Sequence, residues 1–190
     1  MNNATFKNSS LSPSQQQLNN LIEHFKNGRL DEAERLAASI TKQFPKHQFT
    51  WKILGVILGQ IGRKAEALNA NQKAVTLDPQ DALAHNNLGT TLKELGKLEK
   101  AEASYRQAIV FKSDYALAHN NLGSTLKELG KLEEAEASYR QAIVLKSDHA
   151  EAHSNLGKLL LKMGQHQEGL DEQIIGEGVI NFDLKNGLSL

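Results

Sequence analysis

Residues 82–115 and 116–149 are near copies of one another. ALAHNNLGTTLKELGKLEKAEASYRQAIVFKSDY is followed at once by ALAHNNLGSTLKELGKLEEAEASYRQAIVLKSDH, and the two differ at four positions: Thr90/Ser124, Lys100/Glu134, Phe111/Leu145 and Tyr115/His149. A unit this short cannot enclose a core alone, so successive copies must bury one another's faces. The period extends outward through Gly28, Gly62, Gly96, Gly130 and Gly164, one per copy. Each follows one apolar-periodic stretch and precedes another, where a left-handed residue ends a helix at little cost.

Within each copy the apolar residues lie three and four apart. Leu88, Leu92, Leu95 and Leu98 match Leu122, Leu126, Leu129 and Leu132, which marks one helical face. Small residues recur at Ala33, Ala67, Ala101, Ala135 and Gly169, and again at Ala74, Ala108 and Ala142, where two helices can approach closely. A second glycine series, Gly55, Gly89, Gly123 and Gly157, falls inside the first helix of each pair. Glycine costs about 1 kcal/mol there relative to alanine, so a tight interhelix contact is its expected use. Tyr105 and Tyr139 are expected to pack from the second helix, and Pro45 and Pro79 to follow its end. The pattern predicts first (A) helices over 15–27, 48–61, 82–95, 116–129 and 150–163. It predicts second (B) helices over 31–43, 64–77, 98–111, 132–145 and 166–175.

Composition narrows the function. Lys and Arg number 22, as do Asp and Glu, so no global basic excess advertises a nucleic-acid binder. With no cysteine, disulfides, thiolate metal sites and cysteine nucleophiles are excluded. No stretch approaches the roughly 18–20 apolar residues of a membrane span, and the N-terminus MNNATFKNSS lacks a basic start and an apolar run. A cytoplasmic location is expected. His149 and His153 are four apart, but His149 falls in the turn between repeats, and His85, His119 and His153 recur once per repeat, so no zinc set is expected. No phosphate loop, nucleophile elbow or HExxH motif is present. The chain is expected to hold no metal or cofactor and to be no enzyme.

The series Trp51, Leu54-Gly55, Ala67, Ala74, Pro79 and the series Leu88-Gly89, Ala101, Tyr105, Ala108 resemble tetratricopeptide repeats, whose period is 34 residues. The resemblance runs from about residue 14 to about residue 170. It implies an all-α, right-handed superhelical solenoid of antiparallel helix pairs, with repeats near 14–47, 48–81, 82–115, 116–149 and 150–175. His85, His119 and His153 stand at a usually aromatic site of helix A, and Ser113 and Ser147 replace the terminal proline. Both departures are expected to loosen local packing.

The ends depart further. Residues 1–13, rich in Asn, Ser and Gln, are expected to be disordered. In the fifth repeat, Gly169, Gly176 and Gly178 are expected to interrupt the second helix. The segment 176–190 reads as a short irregular or β-like tail, because VINFDLKNGLSL alternates and carries the turn pair Asn186-Gly187. It either folds back over the last helix pair or leads into a further domain.

The resemblance places the A helices on the concave side of the array. The residues recurring there are Asn86, Asn87, Thr90, Lys93 and Glu94, then Asn120, Asn121, Ser124, Lys127 and Glu128, then Ser154, Asn155, Lys158 and Lys162. Asn19, Asn87, Asn121 and Asn155 share one repeat position, broken by Ile53. Packed helices lie roughly 8–10 Å apart and an extended peptide advances roughly 3.3 Å per residue, so one Asn meets about every third peptide residue. A carboxamide carries a donor and an acceptor and can pair with peptide backbone whatever the sequence. The series is similar to the asparagine ladder in the repeat arm of O-linked N-acetylglucosamine transferases. Ordinary surface asparagine, copied by duplication, is the alternative. The carboxylate-clamp pattern of chaperone-binding relatives fits less well: Lys52 and Asn87 match it, but Val56, Leu117 and Asn121 do not. The expected function is a protein-interaction scaffold holding an extended peptide in the groove. The alternatives are a substrate-recruiting arm of a glycosyltransferase-like enzyme and a repeat protein that self-associates weakly through its array ends or tail.

Overall fold

The computed structural model describes residues 12–178 and the backbone of residues 182–183 and 187–188. The chain divides into two compact units that meet in sequence at Pro79 and Gln80. The first holds α1 (Gln15–Lys26), α2 (Leu30–Gln43), α3 (Gln48–Gln60) and α4 (Lys64–Leu77). The second holds α5 (Ala82–Glu94), α6 (Leu98–Phe111), α7 (Ala116–Glu128), α8 (Leu132–Leu145), α9 (Ala150–Lys162) and α10 (His166–Gly176). Among residues 12–178 the fold is all-α, in five helix pairs, and each helix boundary lies within one residue of its expected place. After α10, β1 (Phe182–Asp183) pairs antiparallel with β2 (Gly187–Leu188), Phe182 opposite Leu188. The remaining residues of the N-terminal segment and the tail lie outside the described ones. Pro13, at the edge of the N-terminal segment, is buried. The Ser14 hydroxyl accepts from the Gln17 amide at 3.2 Å, while Gln17 Oε1 accepts from the Ser14 amide at 2.9 Å, a reciprocal cap for α1.

The periodic glycines close the A helices as expected. At Gly96 (φ 69°) the Lys97 amide donates to the Leu92 carbonyl and the Gly96 amide to the Lys93 carbonyl, both at 2.9 Å. Gly130 (φ 77°) repeats the arrangement through Lys131–Leu126 and Gly130–Lys127. This satisfies two carbonyls the helix would otherwise leave open.

The interior is built from fully buried alanines, among them Ala33, Ala67, Ala101, Ala135, Ala74, Ala108 and Ala142. The glycines of the series Gly55, Gly89, Gly123 and Gly157 face B-helix side chains. A Cβ on Gly89 would lie 2.7–2.9 Å from the Tyr105 ring, and one on Gly123 would lie 2.8 Å from the Tyr139 ring. In the second repeat the partner of Gly55 is Asn71, and in the fifth that of Gly157 is Gln173. The first repeat exchanges the sizes: Leu21 stands at the glycine position and Ala37 at the tyrosine position, both buried in one cluster with Ile40 and Ile57.

Gly169 does not interrupt α10, which runs through it to Gly176. A Cβ there would lie 2.9 Å from the Leu161 backbone nitrogen and 3.0 Å from the Gly157 carbonyl. The glycine is used for close approach, not as a helix stop. Gly176 against Ala150 and Gly169 against Leu161 show the two helices running in opposite directions.

The histidines at the aromatic site do not simply loosen it. Trp51 Nε1 donates to the Pro45 carbonyl at 2.9 Å, across the turn between repeats. His119 Nε2 meets the Ser113 carbonyl at 3.1 Å and His153 Nε2 meets the Ser147 carbonyl at 2.9 Å, in each case six residues back. An imidazole N–H therefore replaces the indole N–H. His153 is further held by Nδ1 against the Glu172 carboxylate of α10, at 2.5 Å.

Candidate functional site

In the second unit α5 touches α7 and α7 touches α9. The B-helix side instead opens into a cleft between α6 and α8, lined by Ile109, Val110, Ala137 and Gln141. The helix pairs splay on that side and converge on the other, so the A helices form the inner face of this unit. Arginines tie the splayed B helices together: Arg106 binds Glu134 at 2.7 Å and Arg140 binds Glu168 at 2.8 Å.

The expected groove residues separate into two groups. Asn86 and Asn120 do not face the groove; they are 4% and 0% exposed. Each accepts a hydrogen bond through Oδ1 from the next repeat, Asn121 Nδ2 to Asn86 and Asn155 Nδ2 to Asn120, both at 3.1 Å. They are staples between consecutive A helices, because a helix in the middle of an array buries its flanks as well as its inner stripe. Ser154, at the same repeat position, is half-buried against α10, where a Cβ on Gly176 would come within 2.5 Å of its hydroxyl.

The other group does reach solvent. Asn87, Asn121, Asn155, Ser124, Lys93 and Lys127 are half-buried, and Thr90 and Lys158 are exposed. Asn121 and Asn155 each spend one amide hydrogen on the preceding repeat and retain a second hydrogen and Oδ1. Lys93 pairs with Glu128 of the next repeat at 3.1 Å.

Two tyrosines reach this face from behind. Tyr105 OH donates to Thr90 Oγ1 at 3.2 Å and Tyr139 OH to Ser124 Oγ at 3.1 Å, past the missing side chains of Gly89 and Gly123. Burial pushes the Tyr105 phenol up to about 12, opposed by the Thr90 hydrogen bond, and raises Tyr139 for the same reason. This predicts an alkaline transition. Below the unfolded value of 10.0 the phenol stays protonated in both states and its stabilisation is complete. As pH rises from there toward about 12 only the unfolded chain ionises, and stability on the order of 3 kcal/mol is lost. Melting temperature against pH, with tyrosinate absorbance, should show this loss, and Tyr105→Phe should reduce it.

Among the described residues no group of three or more His, Asp or Glu side chains is placed to hold a metal ion. No helix among them is long and apolar enough to cross a membrane. Sequence reasoning missed the inter-repeat asparagine bonds and the arginine ties. The Arg–Glu separation of 28 residues, seen in Arg106–Glu134 and Arg140–Glu168, was the available signal for the second.

Comparison with known proteins gives the family. Descriptions of the tetratricopeptide repeat match residues 18–82 and 70–103, and the TPR repeat description matches residues 89–130 and 123–164. Together these run from residue 18 to residue 164. No curated protein matches the chain. Among solved structures, TTC0263, a thermophilic TPR protein of Thermus thermophilus, is 25% identical, covers 90% of this chain and 93% of its own, and superposes with a TM-score of 0.71. A crystal structure of MamA is 24% identical over 82% of this chain and 91% of its own, with a TM-score of 0.73. YrrB, described as a TPR protein with an unusual peptide-binding site, is 18% identical over 88% of each chain, with a TM-score of 0.70. Paired helices at a 34-residue period, glycine-closed and interlocked through small residues, thus agree with the matched repeat descriptions, and the chain belongs to the tetratricopeptide repeat family.

Proposed function

We propose that this protein is a protein–protein interaction scaffold that holds an extended segment of a partner along the inner face of α5, α7 and α9. The observation that carries the reading is the pair Asn121 and Asn155. They sit on consecutive A helices, each fixed in orientation by its bond to the preceding repeat, and each keeps a donor and an acceptor for peptide backbone. Pre-fixed side chains lose little freedom on binding, which favours affinity. The polar series on the inner face suits an extended backbone better than it suits an apolar helix. YrrB, with its peptide-binding site, shows that a protein of similar fold holds peptide. A cytoplasmic setting goes with this reading, and no nucleic acid is needed by it. The recruiting-arm alternative rests on the asparagine series alone, and nothing in the second unit adds to it.

The test is selection of peptides from a random displayed library against the full chain, followed by titration of the selected peptide. Asn121→Ala combined with Asn155→Ala should weaken it by about 30-fold, at about 1 kcal/mol per lost hydrogen bond. Unchanged affinity would overturn the proposal. The same substitutions orphan the buried Oδ1 atoms of Asn86 and Asn120. Stability should therefore fall by about 1–3 kcal/mol per site, and binding must be read well below the variant's melting temperature, with helicity confirmed by circular dichroism.

A further inference from the structure

The A helices of the second unit repeat their spacing but not their charge. Asn121 Nδ2 donates to Asn86, and seven residues further along each helix Glu128 meets Lys93 at 3.1 Å. One repeat later Asn155 Nδ2 donates to Asn120 at the same 3.1 Å. Seven residues further along these helices stand Lys162 and Lys127. Two lysines thus occupy the positions at which the preceding step has an ion pair. Lys158, one turn before Lys162, adds a third on the same face of α9.

The electrostatics reflect this convergence. Lys127 is held below the usual lysine range, first by burial, then by the charge of Lys93, with Lys158 and Lys162 adding and Glu128 opposing. Among the described residues Lys127, Lys158 and Lys162 form no ion pair. Lys127 and Lys162 lie in the last turns of their helices, where a cation favours the helix dipole. The dipole explains each lysine singly, but not why lysine stands at 162 where the preceding repeat has Glu128.

We propose that this end of the groove receives an acidic segment of the bound polypeptide, with Asp or Glu carboxylates seated between Lys127 and Lys162 beside Lys158. The proposal rests on the peptide-groove reading above and adds the partner's chemistry. A carboxylate there replaces a repulsive pair by two attractive ones, and beside the half-buried Lys127 charges interact more strongly than in open water. A polypeptide fits better than a nucleic acid. Glu94, Glu128 and Glu151 lie on the same three helices and would repel a continuous phosphate backbone, which seeks an extended basic track.

The test titrates the full chain with three labelled probes: a peptide alternating Glu and Ser, its Gln and Ser counterpart, and oligothymidylate. Lys162→Glu re-creates the Lys93–Glu128 arrangement, and Lys100→Glu makes the same charge change on α6. The Glu/Ser peptide should bind about tenfold more tightly than the Gln/Ser peptide, and Lys162→Glu should lose about tenfold of that affinity. Lys162→Glu should melt no lower than the parent, and Lys100→Glu should bind as the parent does. Equal affinity for the two peptides, equal losses in the two variants, or tighter binding of oligothymidylate would overturn the proposal. If both peptides bind equally but respond to the Asn121→Ala and Asn155→Ala pair, only the acidic preference fails. If neither responds to that pair, the groove reading itself fails.

Discussion

Tyr139→Ala is expected to cost about 3–5 kcal/mol, the range for losing a buried aromatic ring. The ring is fully buried, and it covers the bare backbone of Gly123. Removing it opens a cavity that no neighbouring side chain on α7 can fill, because the position opposite has no side chain. The loss of the hydroxyl bond to Ser124 adds about 1 kcal/mol, which Tyr139→Phe isolates. In a helix-pair array each repeat touches only its neighbours. The damage should therefore centre on α7 and α8 and spread to the pairs on either side. Urea unfolding gives the total, and amide exchange should show protection lost first in α7 and α8. A cost under about 1 kcal/mol would mean that the glycine–tyrosine contact is not what joins these helices.

Gly123→Ala is expected to destabilise by about 1–3 kcal/mol. The sign is the informative part, because the same change in an open helix interior gains about 1 kcal/mol. The new methyl would lie 2.8 Å from the Tyr139 ring and 3.1 Å from the Ala135 carbonyl. The ring has to shift and the two helices have to part. Gly59, inside α3, is the internal control: a Cβ there meets nothing within 4 Å, so Gly59→Ala should stabilise. Urea midpoints of the two variants should move in opposite directions. A gain at Gly123 would contradict the packing described here.

The repeat made the helices, their ends and their small-residue seams legible, because a fixed period states which positions are equivalent. It does not state which way an equivalent position faces. Asn86 and Asn87 are neighbours in sequence and both recur as polar residues, yet about 100° of helix rotation separates a buried staple from a half-buried side chain that reaches solvent. Polarity alone assigned both to solvent. Hydrogen bonding across the flank of the helix, invisible in one repeat, is what gives the buried Oδ1 of Asn120 its partner. The histidines show the same limit: replacing an aromatic residue read as a loss, whereas His119 and His153 keep the one ring N–H that Trp51 uses across the inter-repeat turn. Gly169 read as a helix breaker because propensity counts against glycine, but close approach to α9 outweighs that penalty. The charge reversal at Lys162 stands in plain view in the sequence and gains meaning only from the Lys93–Glu128 pair that fixes the geometry of the step.

The claim that the inner face holds the ligand is tested most directly by heteronuclear NMR of the full chain with a library-selected peptide. The side-chain amide signals of Asn121 and Asn155 should shift on titration. The methyl signals of Val110 and Val144, exposed at 70% and 76% on α6 and α8, should stay in place. Shifts confined to Val110, Val144 and Gln141, in the cleft between the B helices and beside it, with the two asparagines unmoved, would contradict the account and assign binding to the opposite side.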